Sequence, residues 1–179
     1  LFLFAMDMQF EDFYDIGKEI GMGSYSFVHL ATHKQTQRIY AVKIIEKALL
    51  TRKERDRLDT EVQIHKSCKH ENIVSLEETF ETKHRLYMVM EAMKGGDLFD
   101  RLVKKKVYPE DEARVVIRNI VKAVLYLHEQ GLVHRDLKPE NMLLASKKDH
   151  VTVKIADFGF SKNIEEGNLL STPCGSPGY

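Results

Sequence analysis

Disulfide pairing has little to work with here: among 179 residues there are two cysteines, Cys68 and Cys174, far apart and in no pairing pattern. That excludes a disulfide scaffold and fits a reducing compartment, so an intracellular protein is expected, cytoplasmic with the nucleus left open. Net charge is missing too. The 27 lysines and arginines balance 27 aspartates and glutamates, and bulk charge therefore gives no reason to expect nucleic acid or an anionic membrane as partner. No hydrophobic run reaches membrane-spanning length. The apolar start, Leu1-Phe2-Leu3-Phe4-Ala5-Met6, falls far short of the roughly 20 residues a membrane helix needs. It lacks a basic lead and a small-residue cleavage site, which argues for a short extension upstream of a domain rather than a signal peptide. There is no internal repeat, no low-complexity tract and no EF-hand calcium loop.

What is present suffices for a packed core: 43% of the residues are hydrophobic and 30% charged, ordinary values for a globular chain. From Tyr14 to Val28 and from Arg38 to Ile45, apolar and polar residues alternate with β-branched and aromatic enrichment, which predicts paired strands on a half-buried sheet. Gly21 and Gly23 mark the turn between the first two. Thr51 and Glu54 have capping-box spacing, and Leu58, Val62 and His65 follow on one face, predicting a helix over 51–68. Strands are expected over 73–81 and 85–91. Lys94-Gly95-Gly96 then breaks the pattern, where a β-rich region gives way to a helical one. Pro109 as first helical residue, the apolar series Ala113, Val116, Ile120, Val124 and Leu127, and Gly131 as terminator predict one long amphipathic helix. Short strands are expected near 142–144 and 151–155, before a tail rich in serine, glycine and proline.

The chemistry concentrates in His134-Arg135-Asp136-Leu137-Lys138-Pro139-Glu140-Asn141 and, after a short apolar strand, Asp157-Phe158-Gly159. Two carboxylates, an amide and an ammonium on neighbouring loops can hold a divalent metal and a polyphosphate beside a hydroxyl nucleophile. A solvated charge-rich turn built on Pro139 and Asn141 explains the first run alone. It does not explain eight specified positions together with the second run.

These runs resemble the catalytic-loop and metal-loop signatures of the eukaryotic protein kinases, and the resemblance covers nearly the whole chain from about Phe10. It implies an α+β, two-lobed kinase-like fold. An N-terminal extension (1–9) leads into a β-rich N-terminal lobe with one main helix and the hinge (10–93), and then a partial helical C-terminal lobe ending in the activation segment (94–179). By the same resemblance, Asp136 orients the substrate hydroxyl and accepts its proton, and Lys138 neutralises the transferred phosphoryl group. Asn141 and Asp157 hold Mg2+. Lys138 two residues after Asp136 is the pattern of serine/threonine kinases. Lys43, in Tyr40-Ala41-Val42-Lys43, falls where the family places the lysine on the α and β phosphates of ATP, and Glu61 where it places that lysine's ion-pair partner. Glu54 is a rival in the first turn of the helix.

Gly21-Met22-Gly23-Ser24-Tyr25-Ser26-Phe27-Val28 resembles the glycine-rich loop, with Ser26 where the third glycine usually stands; by itself a hairpin turn with two glycines explains it as well. Ile20, Gly21, Gly23 and Ser26 are assigned to the nucleotide on this basis. The resemblance further places the backbone of Glu91 and Met93 at the adenine edge and Val28, Ala41 and Leu143 on its faces. Met90 limits the pocket's depth, and Asp97 meets the ribose. Arg135 is implied to pair with a phosphate on Thr172, added by an upstream kinase, which would order the activation segment. The segment 140–162, with its insertion Ala145-Ser146-Lys147-Lys148-Asp149, is most similar to the calcium/calmodulin-dependent kinase group. In that group Asp97 and Glu140 would accept a basic residue upstream of the target serine or threonine. His65 departs from the apolar residue that kinases usually stack against Leu76, Phe158 and His134, and its nitrogens need partners if buried.

The chain stops at Tyr179, before the Ala-Pro-Glu element and the helices that support these loops in the family. Two further readings therefore stand beside a protein kinase. One is a truncated, inactive fragment that binds nucleotide or a partner without transferring phosphate. The other is an ATP-dependent small-molecule kinase, which would not be expected to carry Leu137-Lys138-Pro139-Glu140.

Overall fold

The computed structural model describes residues 9–159, 161–163 and 175–176. The chain divides into two compact units, residues 1–55 with 76–92 and residues 56–75 with 93–179.

The first unit opens with a one-turn helix, α1 (Phe10–Phe13), closed by a capping box between Gln9 and Asp12. An antiparallel sheet follows, made of β1 (Tyr14–Met22), β2 (Ser26–His33), β3 (Ile39–Glu46), β4 (Leu76–Glu81) and β5 (Arg85–Glu91), in the order β1-β2-β3-β5-β4. The alternation in β3 sends Val42 and Ile44 to one face and leaves Ala41 and Lys43 on the other, as the period of two requires. Val42 and Ile44 join Phe10, Tyr14, Ala31, Tyr87 and Val89 in a buried cluster. Its centre is aromatic. Phe10 is fully buried, stacked on Tyr87 at 4.6 Å and on Tyr14 at 5.1 Å, with the edge of Phe80 5.7 Å away. The two tyrosine hydroxyls donate to carboxylates, Tyr87 to Glu11 (3.0 Å) and Tyr14 to Glu78 (3.1 Å). Burial, reinforced by the Glu78 charge, pushes the Tyr14 hydroxyl well above the usual tyrosine range.

Two expectations shift in this unit. Gly21 lies within β1, opposite Val28, and the turn itself runs from Gly23 to Tyr25. The strand expected from Ile73 starts only at Leu76, because the peptides of Ile73 and Val74 are claimed by Ile155 instead.

The second unit is built on helices. Its first helix, α2 (Arg52–Ser67), begins in the residues of the first unit, where the capping box forms as expected: Thr51 N–H donates to Glu54 at 2.8 Å and Glu54 N–H to the Thr51 hydroxyl at 3.3 Å. A short helix that sequence periodicity did not reveal, α3 (Leu98–Lys105), is capped by Asp97, which accepts from Asp100 N–H at 2.7 Å. The long helix α4 (Glu110–Glu129) forms as expected, but Pro109 is its cap residue (ψ 141°) rather than its first helical residue. Gly131, at φ 67°, terminates it in the left-handed conformation. From α4, Ala123 and Leu127 pack with Ile64, Cys68, Ile73, Leu132, Ile155 and Phe158, while Val116 packs with Leu98, Met142, Leu144 and Val153. Two two-stranded sheets complete the unit: β6 (Leu132–Val133) pairs with β9 (Lys162–Asn163), and β7 (Met142–Leu144) with β8 (Val153–Ile155). The insertion between β7 and β8 is pinned by Asp149, which accepts from the N–H groups of Val151 (2.9 Å) and Thr152 (2.8 Å). Those contacts hold its carboxyl below the usual range. Among the described residues no helix is long and apolar enough to cross a membrane.

Candidate active site

In the second unit, β6 delivers the chain into the loop from His134, and the 3-10 turn Pro139–Asn141 carries it out into β7. β8 runs antiparallel to β7 and leads to Asp157. One backbone and one side-chain bond join the two loops: Ala156 N–H donates to the Asn141 carbonyl at 2.8 Å, and His134 Nε2–H donates to the Ala156 carbonyl at 3.1 Å. His134 Nδ1 accepts from Asp136 N–H at 3.3 Å, which places the ring's proton on Nε2. Burial pushes the His134 imidazole below its usual range and keeps it neutral, against the opposing effect of its bond to Ala156.

Asp136 is the best-supported group in the loop. Its side chain is buried, and each oxygen has a partner. Lys138 Nζ lies 3.0 Å from Oδ2, Asn141 Nδ2 donates to the same oxygen at 3.0 Å and to the Asp136 carbonyl at 2.9 Å, and the Ser176 hydroxyl donates to Oδ1 at 2.8 Å. Lys138 also donates to Ser176. Burial by itself raises the Asp136 pKa, but the hydrogen bonds from Lys138, Ser176 and Asn141, with the Lys138 charge, outweigh it and hold the carboxyl below the usual range. The group is therefore a carboxylate at neutral pH.

Asp157 takes a left-handed backbone (φ 62°), as does Arg135 (φ 66°). Both are conformations that non-glycine residues hold only when the surroundings compel them. Asp157 Oδ1 accepts from Gly159 N–H at 3.3 Å. A β-carbon at residue 159 would lie 3.3 Å from that oxygen and 3.5 Å from Glu61 Oε2, so Glu61 on α2 reaches the loop of Asp157. With Asn141's amide nitrogen committed to Asp136, its carbonyl oxygen and the Asp157 carboxylate are the hard donors at these loops. Two protein oxygens suit Mg2+, which keeps water and phosphate oxygens in its shell. No group of three or more His, Cys, Asp or Glu able to hold a metal occurs among the described residues.

The other expected residues fall as follows. Asp97 bridges Leu143 in the backbone, Leu144 N–H donates to the Gly96 carbonyl at 2.8 Å, and Gly95 N–H donates to the Leu144 carbonyl at 2.9 Å. A β-carbon at residue 95 would come within 2.6 Å of Leu144, which is why glycine stands there. Met93 begins this segment, and Glu140 is exposed in the 3-10 turn. In the first unit, Ile20 and Gly21 lie on β1, Ser26 and Val28 on β2, Ala41 and Lys43 on β3, and Met90 and Glu91 at the end of β5. The register sets Lys43 between Val28 and Met88 and Ala41 beside Met90. Gly23 N–H donates to the Ser26 carbonyl at 2.7 Å. A β-carbon on Gly23 would come to 2.8 Å from the Ser26 hydroxyl, the movable end of that side chain. Thr172 lies outside the described residues.

Ser176 is the residue that sequence reasoning missed. It stands 40 positions from Asp136 in a segment with no periodicity, and only the folded chain brings its hydroxyl to the carboxylate.

A five-stranded antiparallel sheet with its helix, followed by a partial helical region whose loops present Asp136, Lys138, Asn141 and Asp157, defines the class as a kinase-like α+β protein. The chain belongs to the protein kinase family: the family model for the protein kinase domain matches residues 14–179. It is 47% identical, over 94% of its length, to myosin light chain kinase A of Dictyostelium discoideum. Over 94% of its length it is also 44% and 43% identical to calcium/calmodulin-dependent protein kinase type IV of Mus musculus and Homo sapiens. It spans 57% of the length of the first of these relatives and 35% of the other two. The chain is thus homologous to serine/threonine protein kinases of the calcium/calmodulin-dependent type.

Proposed function

We propose that this chain carries the phosphoryl-transfer centre of a protein serine/threonine kinase, moving the γ-phosphoryl group of ATP to serine or threonine hydroxyls of protein substrates. The observation that supports it best is the Asp136 carboxylate, held ionised between Lys138, Asn141 and Ser176. An acceptor hydroxyl beside it is oriented for attack and gives up its proton to the carboxylate, while the bond from the γ-phosphorus to its bridging oxygen breaks and ADP leaves. Lys138 offsets charge on the phosphoryl oxygens. Lys43, oriented by Glu61, contacts the α and β phosphates, and the glycine-rich segment with Ile20, Gly21, Gly23 and Ser26 covers them. Val28, Ala41, Met90, Glu91, Met93, Asp97 and Leu143 receive the adenosine. Mg2+, held by Asn141 and Asp157, supplies charge neutralisation at the phosphates when bound.

The test is transfer from labelled ATP, with Mg2+, to serine peptides that differ only in an upstream arginine. Asp97 and Glu140 as acceptors of that basic residue predict a preference for the arginine peptide; a flat response removes this part of the reading. Nucleotide binding with no transfer to any peptide would favour a module that binds without catalysing.

Phosphorylation of Thr172 by an upstream kinase is proposed to order the activation segment through Arg135, whose left-handed backbone sits directly before Asp136. Thr172→Ala in the full-length protein is expected to lower activity about tenfold or more, the worth of one or two charge-assisted hydrogen bonds. Undiminished activity of that variant would sink the proposal.

A further inference from the structure

Gly95 and Gly96 stand directly before Asp97, and glycine gives up more conformational freedom on folding than any other residue. Gly96 is left-handed, at φ 77°. Antiparallel bonds to the end of β7 hold one edge of this stretch: Lys94 N–H donates to the Ala145 carbonyl at 3.1 Å, Gly95 N–H to the Leu144 carbonyl at 2.9 Å, and Leu144 N–H to the Gly96 carbonyl at 2.8 Å. The Gly95 carbonyl is taken by a side chain.

That side chain is Arg101, on α3. Its Nη2–H donates to the Gly95 carbonyl at 3.3 Å and to the Lys147 carbonyl at 3.4 Å. Its Nη1–H donates to His150 Nδ1; arginine carries donors only, so the imidazole nitrogen is the acceptor. Lys147 and His150 belong to the loop between β7 and β8, which has anchors of its own. The Tyr108 hydroxyl donates to the His150 carbonyl, and Asn119 Nδ2, on α4, donates to the Val151 carbonyl at 3.0 Å. One guanidinium therefore joins the glycine pair to a loop already fixed to α4, using the planar fork of donors that arginine alone offers.

Asp97 lies two residues beyond Gly95. Its side chain caps α3, accepting from Asp100 N–H at 2.7 Å, and Arg101 N–H donates to its carbonyl at 3.3 Å. We propose that Arg101 is a positioning residue for Asp97, fixing the glycine pair before it against the β7–β8 loop. The proposal rests on the reading of Asp97 as the residue that meets the ribose and the upstream arginine of a peptide.

The test compares Arg101→Met, which keeps the apolar stem and removes every donor, with Lys104→Met, which removes the same charge from an exposed position on the same helix. On the full-length protein, ATP KM, kcat and the preference for a serine peptide with an upstream arginine are measured, together with backbone hydrogen exchange over 94–98. For Arg101→Met, ATP KM is expected to rise about fivefold and the arginine preference to fall about fivefold, with kcat within about twofold of wild type. Exchange over 94–98 is expected to quicken about tenfold, the range for losing a hydrogen bond from a charged donor. Lys104→Met is expected to stay within about twofold of wild type in every measurement, as for a surface ion pair. Unchanged exchange over 94–98 in Arg101→Met, a fall in kcat with ATP KM unaltered, faster exchange spread evenly over the chain, or an equal effect of Lys104→Met would each overturn the proposal. Asp97→Asn is measured beside them. If it alters neither ATP KM nor the arginine preference, the reading of Asp97 has failed, and exchange over 94–98 alone decides the part played by Arg101.

Discussion

Asp136→Asn is expected to lower phosphate transfer about 10³-fold while leaving ATP binding within about twofold of wild type. The substitution keeps the size and planarity of the side chain and removes its charge. Lys138 Nζ, 3.0 Å from Oδ2, then loses its counter-charge, and the Ser176 hydroxyl loses an anionic acceptor. The acceptor hydroxyl loses the group that takes its proton. Steady-state kinetics with a serine peptide, set beside the thermal shift produced by MgATP, separates the two effects. A fall in kcat with unchanged nucleotide affinity is the expected result. Equal loss of both would mean that Asp136 serves the loop's structure rather than the reaction, since Asn141 and Lys138 both lean on it.

The largest expected effect on stability is at Phe10. Phe10→Ala is expected to cost about 4 kcal/mol in urea unfolding, the range for deleting a fully buried aromatic ring that its surroundings cannot replace. The ring has no exposed surface, stacks face to face with Tyr14 and Tyr87, and meets the edge of Phe80. Its removal also unseats Glu11, which accepts the Tyr87 hydroxyl. Phe99, 44% exposed on α3, is the matched control, and Phe99→Ala is expected to cost less than about 0.5 kcal/mol. If the two variants unfold at the same urea concentration, α1 contributes nothing to the first unit. Such a result would be notable because Phe10 lies upstream of the residues 14–179 that match the kinase family.

The strands and main helices were legible because each carries its period locally. Val42 and Ile44 alternate with Ala41 and Lys43, and Thr51 announces α2 through Glu54 three residues on. α3 was not legible: eight residues behind a double glycine hold too few turns for a 3.6-residue repeat to stand out. α1, with four residues, has no period at all, and it exists because its phenylalanine enters an aromatic cluster assembled from four separate stretches of chain.

Sequence by itself determined the family and the identity of the chemical groups, because Asp136, Lys138, Asn141 and Asp157 are specified by spacing within short runs. Tertiary structure decided how those groups are held. Asp136 is held by Ser176, 40 residues away, and Phe158, beside Asp157, is stacked by His65. The Phe10 cluster depends on Tyr87. The physical reason is the same in each case: a hydrogen bond or a ring stack links atoms that are near only once the backbone has closed, and no local pattern of residues encodes that distance.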